Sequence, residues 1–227
     1  MRFRNRDQAG RELAERLLAW SADHEMADPV VIALPRGGVP VAAPIASALH
    51  AALDVLVVRK IGLPGRPESG IGAIVGDDPP LFEKEALEMF GLSEDRLGPQ
   101  LDRESTELRR RDELYRAGRP EPRVAGRTVV LVDDGLATGL TAHVALRHLR
   151  RRSPGRLILA VPVGAPGSRD RLSGEADDVL CLHQPTDLRS VGEWYDDFDQ
   201  VTDGEVLALL RDRSEPRTSS APSDGEP

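Results

Sequence analysis

The chain has 227 residues with 30 Lys and Arg against 38 Asp and Glu, a net charge of −8, which excludes a nucleic-acid backbone as the main partner because that needs a basic face. Hydrophobic residues make up 40% but aromatics only 4%, so the core of one generous α/β domain must rest on Val, Leu, Ile and Ala. The single cysteine, Cys181, excludes an internal disulfide, and no apolar run approaches the roughly 18 residues that a membrane span needs.

The basic start, Met1 to Asp7, has no apolar stretch behind it, so no signal peptide is expected and the location is taken as cytoplasmic. Ala9, Leu13 and Leu17, spaced by four, predict an amphipathic helix over 7–20, capped by Asn5 or Asp7. Five short apolar runs follow: 30–34, 53–58, 128–132, 157–161 and 179–182. They are rich in β-branched residues and nearly continuous, the pattern of strands covered on both faces in a parallel sheet. Helical stretches at about 39–50, 140–152 and 168–176 lie between several of them, which predicts a doubly wound α/β fold. Pro40 suits the first turn of its helix, whereas Pro44 predicts a delayed helix start.

Two regions depart from this rhythm. Between the second and third strands lies an insertion, about 61–127, part of which reads as a long charged helix carrying Leu97, Leu101, Leu108 and Tyr115 and stopped by Gly118 and Pro120. Its run Arg109-Arg110-Arg111 is either an anion site or a solvated helix face. After the last strand, a segment at about 184–211 concentrates Trp194, Tyr195 and Phe198. The main domain is expected over 1–211, and the tail, 212–227, is expected to be disordered because it holds almost nothing apolar.

The most informative stretch is Val129-Val130-Leu131-Val132-Asp133-Asp134-Gly135-Leu136-Ala137-Thr138-Gly139-Leu140-Thr141. A strand ends in two acids, a turn with Gly and Thr follows, and a helix starts near 140. Such a turn points backbone N–H groups at a helix N-terminus, where orphan donors and the dipole favour a phosphate. Asp133 and Asp134 would flank the same crevice, accepting from ribose hydroxyls or helping to hold a hydrated Mg²⁺. The stretch lacks the Gly-Lys-Ser/Thr of the nucleotide P-loop and the spacing of the dinucleotide fingerprint. Leu34-Pro35-Arg36-Gly37-Gly38 after the first strand, and Arg59-Lys60 closing the second, would bring amides and cations suited to a diphosphate to the same edge.

This pattern resembles the signature of the type I phosphoribosyltransferases, over about residues 3–211. Pro35 to Pro40, Arg59-Lys60, Glu68 with Ile71-Gly72-Ala73, and Val191 to Tyr195 look closest to a stand-alone bacterial branch whose acceptor is undefined. The resemblance implies a twisted parallel sheet of about five strands flanked by helices, with a helical insertion and a small C-terminal hood. It implies 5-phosphoribosyl 1-diphosphate (PRPP) as donor, Mg²⁺ as cofactor, a small nitrogenous acceptor, and a homodimer as one possible assembly. By the same resemblance Asp133 and Asp134 contact ribose and, indirectly, Mg²⁺. Gly135, Ala137, Thr138, Gly139, Leu140 and Thr141 wrap the 5′-phosphate, while Arg36, Gly37, Gly38, Arg59 and Lys60 hold the diphosphate. Residues 62–73 read as a mobile loop that closes over the site, with Glu68 its one acid. Trp194 and Tyr195 either stack on an acceptor base or anchor the hood on the core. The rivals to transfer are a regulatory module that senses PRPP or a nucleotide, and a hydrolase of ribose phosphates using the same cradle.

Overall fold

The computed structural model describes residues 2–211, apart from the side chains of 67–69 and 169–170; the tail expected at 212–227 lies outside the described residues. The five predicted strands are β1 (Val30–Ala33), β2 (Ala52–Val55), β6 (Thr128–Val132), β7 (Arg156–Val163) and β8 (Asp178–His183). All pair in parallel, in the order β2-β1-β6-β7-β8. Alternate residues of one strand enter different cores. Val130 and Val132 face a cluster shared with α1 (Arg6–Ser21) and α2 (Gly38–Ala48), whereas Val129 and Leu131 face one shared with α5 (Leu140–Arg150). Covering on both faces is why the strands read as unbroken apolar runs.

The chain leaves β1 toward β2 on one side and leaves β6 toward β7 and β8 on the other. The carboxyl ends of β1 and β6 therefore bound a topological switch point, the crevice where open α/β sheets bind ligands.

The helices α1, α2, α5, α6 (Ser168–Leu172) and α7 (Asp203–Arg211) complete the main layers. Asn5 caps α1, its side chain accepting from the Gln8 N–H at 3.0 Å. Contrary to the expected delay, α2 begins at Gly38 and runs through Pro44. Its buried face, Val39, Val41, Ala42, Ala43, Ile45 and Ala46, outweighs the one lost helical hydrogen bond. Where α1 crosses α2, a Cβ on Gly10 would sit 2.3 Å from the Val41 carbonyl oxygen. Gly10→Ala must push two helices apart. It is expected to cost about 3 kcal/mol, and to lower the thermal midpoint by about 6–12 °C; an unchanged midpoint in a melting experiment would refute this close approach.

The insertion holds more than the expected long helix, which is α4 (Gly98–Arg116) with Pro99 in its first turn. Residues read as the end of strand two and as a loop form an antiparallel sheet of β3 (Val58–Leu63), β4 (Arg66–Val75) and β5 (Leu81–Phe82), followed by α3 (Lys84–Met89). Arg59 and Lys60 thus lie in β3 and not at the end of β2. Burial of Ile61 and Ile71 in one core and of Ala73 and Val75 in the other supplies the apolar contacts that the Gly- and Pro-rich composition obscures. His148 of α5 pins this sheet, with its Nδ1 2.5 Å from Asp78 and its ring under Gly76. Arg110 and Arg111 both pair with Glu107, so that part of the arginine run is engaged along its own helix face. Among the described residues no helix is long and apolar enough to cross a membrane.

Candidate functional site

After β6 the chain makes the turn that the sequence predicts. Two bonds fix it to the end of β7: the Leu136 N–H donates to the Val163 carbonyl and the Ala165 N–H to the Leu136 carbonyl, each at 2.8 Å. Gly139 has φ +80°, a left-handed backbone that favours glycine, and α5 starts at the next residue. Among the described residues, the N–H groups of Ala137, Thr138, Gly139 and Thr141 have no acceptor within the protein, and that of Leu140 has only a long contact, 3.4 Å, to Thr138 Oγ. A cluster of orphan donors at the start of an eleven-residue helix is an anion cradle. Arg171 of α6, which sequence reasoning passed over, holds the Thr138 carbonyl at 3.1 Å and adds positive charge beside the cradle.

Asp133 and Asp134 stand beside it. Burial, and then the adjacent Asp134 charge, push the Asp133 carboxyl well above the usual carboxylate range. Burial also raises Asp134, though the Arg6 guanidinium draws it back down. Both carry a desolvated charge that donors or cations of a ligand would satisfy. Lys60, exposed on β3, is near enough for its charge to favour both ionised forms.

The loop after β1 closes the other wall. The Pro35–Arg36 peptide bond is cis, and the Gly38 N–H returns to the Leu34 carbonyl at 3.0 Å. The two glycines are required by neighbours within the protein as well as by any ligand. A Cβ on Gly37 would lie 1.9 Å from Asp134 Oδ2, and one on Gly38 would lie 2.7 Å from the Val132 carbonyl oxygen. Arg36 lies 3.7 Å from Asp203 at the start of α7, whose carboxylate also accepts from Tyr115 Oη at 2.5 Å. Arg59 is bound by Glu104 of α4 at 2.7 Å, so this cation reaches the crevice only by leaving its partner. Glu68 falls on β4, and its side chain lies outside the described residues.

The hood aromatics divide. Tyr195 is buried against Phe3 and Ala9, and its hydroxyl donates to the Asp134 carbonyl at 2.7 Å, so it anchors the hood. Burial, with Asp134 alongside, raises this phenol far above its usual range and keeps it a donor. Trp194 is half-buried beside His183. Sequence reasoning missed Arg6, which joins the site to the hood. Its Nε donates to Asp134 Oδ2 at 2.9 Å, another nitrogen donates to the Asp199 carbonyl at 2.9 Å, and its Cζ lies over the Phe198 ring, 3.8 Å from the centroid. The only sequence signal was a basic N-terminus, which says nothing about a partner 128 residues away.

Among the described residues, no group of three or more His, Cys, Asp or Glu is arranged to hold a metal ion. Asp133 and Asp134 fit a Mg²⁺ that draws most of its oxygen ligands from a bound diphosphate, which is how this ion is commonly held.

Comparison with known proteins bears on the family and the fold. A family model described as the phosphoribosyl transferase domain matches residues 5–197. Two Mycobacterium tuberculosis proteins, from strains CDC 1551 and H37Rv, carry provisional names as phosphoribosyl transferases. Each is 41% identical to this chain over 208 residues, 92% of the chain and 46% of their own length. The chain therefore spans about half the length of the curated relatives it matches. The crystal structure of TT1426 from Thermus thermophilus is 41% identical, with a TM-score of 0.77 over 94% of this chain and 100% of that one.

Proposed function

The chain belongs to the phosphoribosyl transferase domain family, and from that premise we propose that it transfers the 5-phosphoribosyl group of PRPP to a nitrogenous acceptor with release of diphosphate. The observation that carries this reading is the row of orphan N–H donors at 137–141 beside two desolvated carboxylates, at the switch point of the sheet. A phosphate cradle adjoining groups that seek hydroxyl donors suits a sugar phosphate better than a bare anion.

In this reading the cradle holds the 5′-phosphate, Asp133 and Asp134 accept from the ribose hydroxyls, and the loop 34–38 with Lys60 faces the diphosphate. Mg²⁺, when bound, neutralises charge on the leaving diphosphate. The bond from C1 to the diphosphate oxygen breaks and its electron pair leaves with the diphosphate. The acceptor nitrogen closes on C1 from the opposite face, and its proton passes to solvent. Anchoring the phosphate far from C1 orients the reacting carbon.

Calorimetric titration with PRPP plus Mg²⁺ tests the reading, with ribose 5-phosphate and diphosphate titrated separately. PRPP is expected to bind more tightly than either fragment, because one molecule then fills both walls of the crevice. Failure of PRPP to bind, or binding of ribose 5-phosphate alone, would overturn transfer in favour of phosphorylated-sugar or nucleotide sensing.

A further inference from the structure

Arg6 joins three parts of the protein that are distant in sequence. Its edge grips Asp134 and the Asp199 carbonyl, its face rests on Phe198, and its Nε lies 3.3 Å from the place a Cβ on Gly37 would occupy. Phe198 is itself held by the hood, where a Cβ on Gly192 would come within 2.8 Å of the ring. The Arg6 and Asp134 side chains are only 11% and 17% exposed, so water can do little to loosen the pair.

A guanidinium is a rigid plane. One that is stacked on a hood ring and hydrogen-bonded by its edge to a carboxylate cannot tilt at one contact without disturbing the other. We propose that Arg6 is a positioning residue that couples the hood to the PRPP site: it holds one oxygen of Asp134 against Gly37, leaves the other for the ligand, and transmits displacement of Phe198 to that carboxylate. This rests on the phosphoribosyl-transfer reading above. An acceptor that enters under the hood would thereby adjust the ribose-binding acid, and by reciprocity bound PRPP would hold the hood in place.

A double-mutant cycle tests the coupling, with PRPP and Mg²⁺ affinity measured by calorimetry and folding checked by thermal melting. Phe198→Leu, which removes the stacking plane but no group assigned to the ligand, is expected to weaken PRPP by about fivefold. In an Arg6→Gln background the same change is expected to cost less than about twofold. Ribose 5-phosphate should follow PRPP, and diphosphate alone should be indifferent. Arg6→Lys, which keeps the charge but has no plane to stack, should retain more affinity than Arg6→Gln yet show the same loss of coupling. Equal costs of Phe198→Leu in both backgrounds would overturn the proposal while leaving transfer intact. A wild-type protein that binds no PRPP would overturn both.

Discussion

Asp134→Asn is expected to weaken PRPP binding by about 10- to 100-fold, the value of one charge-assisted hydrogen bond to a ribose hydroxyl, and also to destabilise the fold. Asp133→Asn should weaken binding comparably and yet stabilise the fold. The difference lies in what each carboxylate touches. Asp134 is the counter-charge of Arg6, and the amide that replaces it would leave a guanidinium, 11% exposed, without an anion; the cost is about 1 kcal/mol or more. Among the described residues Asp133 has no such ion-pair partner. Its charge is partly buried beside another of the same sign, and its hydrogen bond from the Asp134 N–H, at 2.9 Å, can be kept by an amide oxygen. Removing that charge should gain about 1 kcal/mol, or about 2–4 °C in the midpoint.

The sign of the pH dependence follows. Because Asp133 is raised in the folded protein, the wild type loses stability as pH climbs from the ordinary carboxylate range through the raised value. The advantage of Asp133→Asn should therefore grow as pH rises through that window and vanish where an ordinary carboxylate is already protonated. Melting curves at both ends of that window, alongside calorimetry, decide the matter. A variant less stable than wild type at neutral pH would show that the site compensates the Asp133 charge.

What could be seen in the sequence was whatever depends on near neighbours along the chain. The strands announced themselves because each is covered on both faces, and the cradle because strand, acids, glycines and helix start lie within thirteen residues. The hairpin β3–β4 did not, because Gly62 and Gly70 pair across it and the register shifts around them, so local composition imitates a loop. Its strand character comes from packing against α4 and α5. Pro44 was misjudged for the same reason: the burial of α2 is a property of the assembled sheet. Arg6, Asp203 and Glu104 take their meaning only from partners that the fold delivers: Asp134, Arg36 and Arg59. The hood aromatics could be read two ways, and burial of Tyr195 with Phe3 decides for anchoring in that residue.

Gly37→Ala and Gly38→Ala should fail in different ways, although both put one methyl group into the same loop. At Gly37 the new carbon would lie 1.9 Å from Oδ2 and 2.6 Å from Cγ of Asp134, the end of a side chain that can rotate away. The fold should survive, but the carboxylate leaves its place between the β1 loop and Arg6. PRPP affinity is then expected to fall by about a hundredfold, as much as misplacing a group by about 1 Å can cost. At Gly38 the new carbon would lie 2.7 Å from the Val132 carbonyl and 3.1 Å from the Asp133 Cα, both backbone, so the end of β6 must shift. That should cost about 3 kcal/mol or more in stability before any effect on binding is counted. A compensating change separates the two mechanisms further. In Gly37→Ala with Asp134→Ala the contact with the carboxylate is gone while Arg6 lacks its anion in any case, so the midpoint should be close to that of Asp134→Ala alone while PRPP binding stays lost. No side-chain truncation can rescue Gly38→Ala, because its obstacle is main chain. Wild-type affinity in Gly37→Ala would mean that Asp134 does not need this seat, and the assignment of Gly37 as its floor would fall.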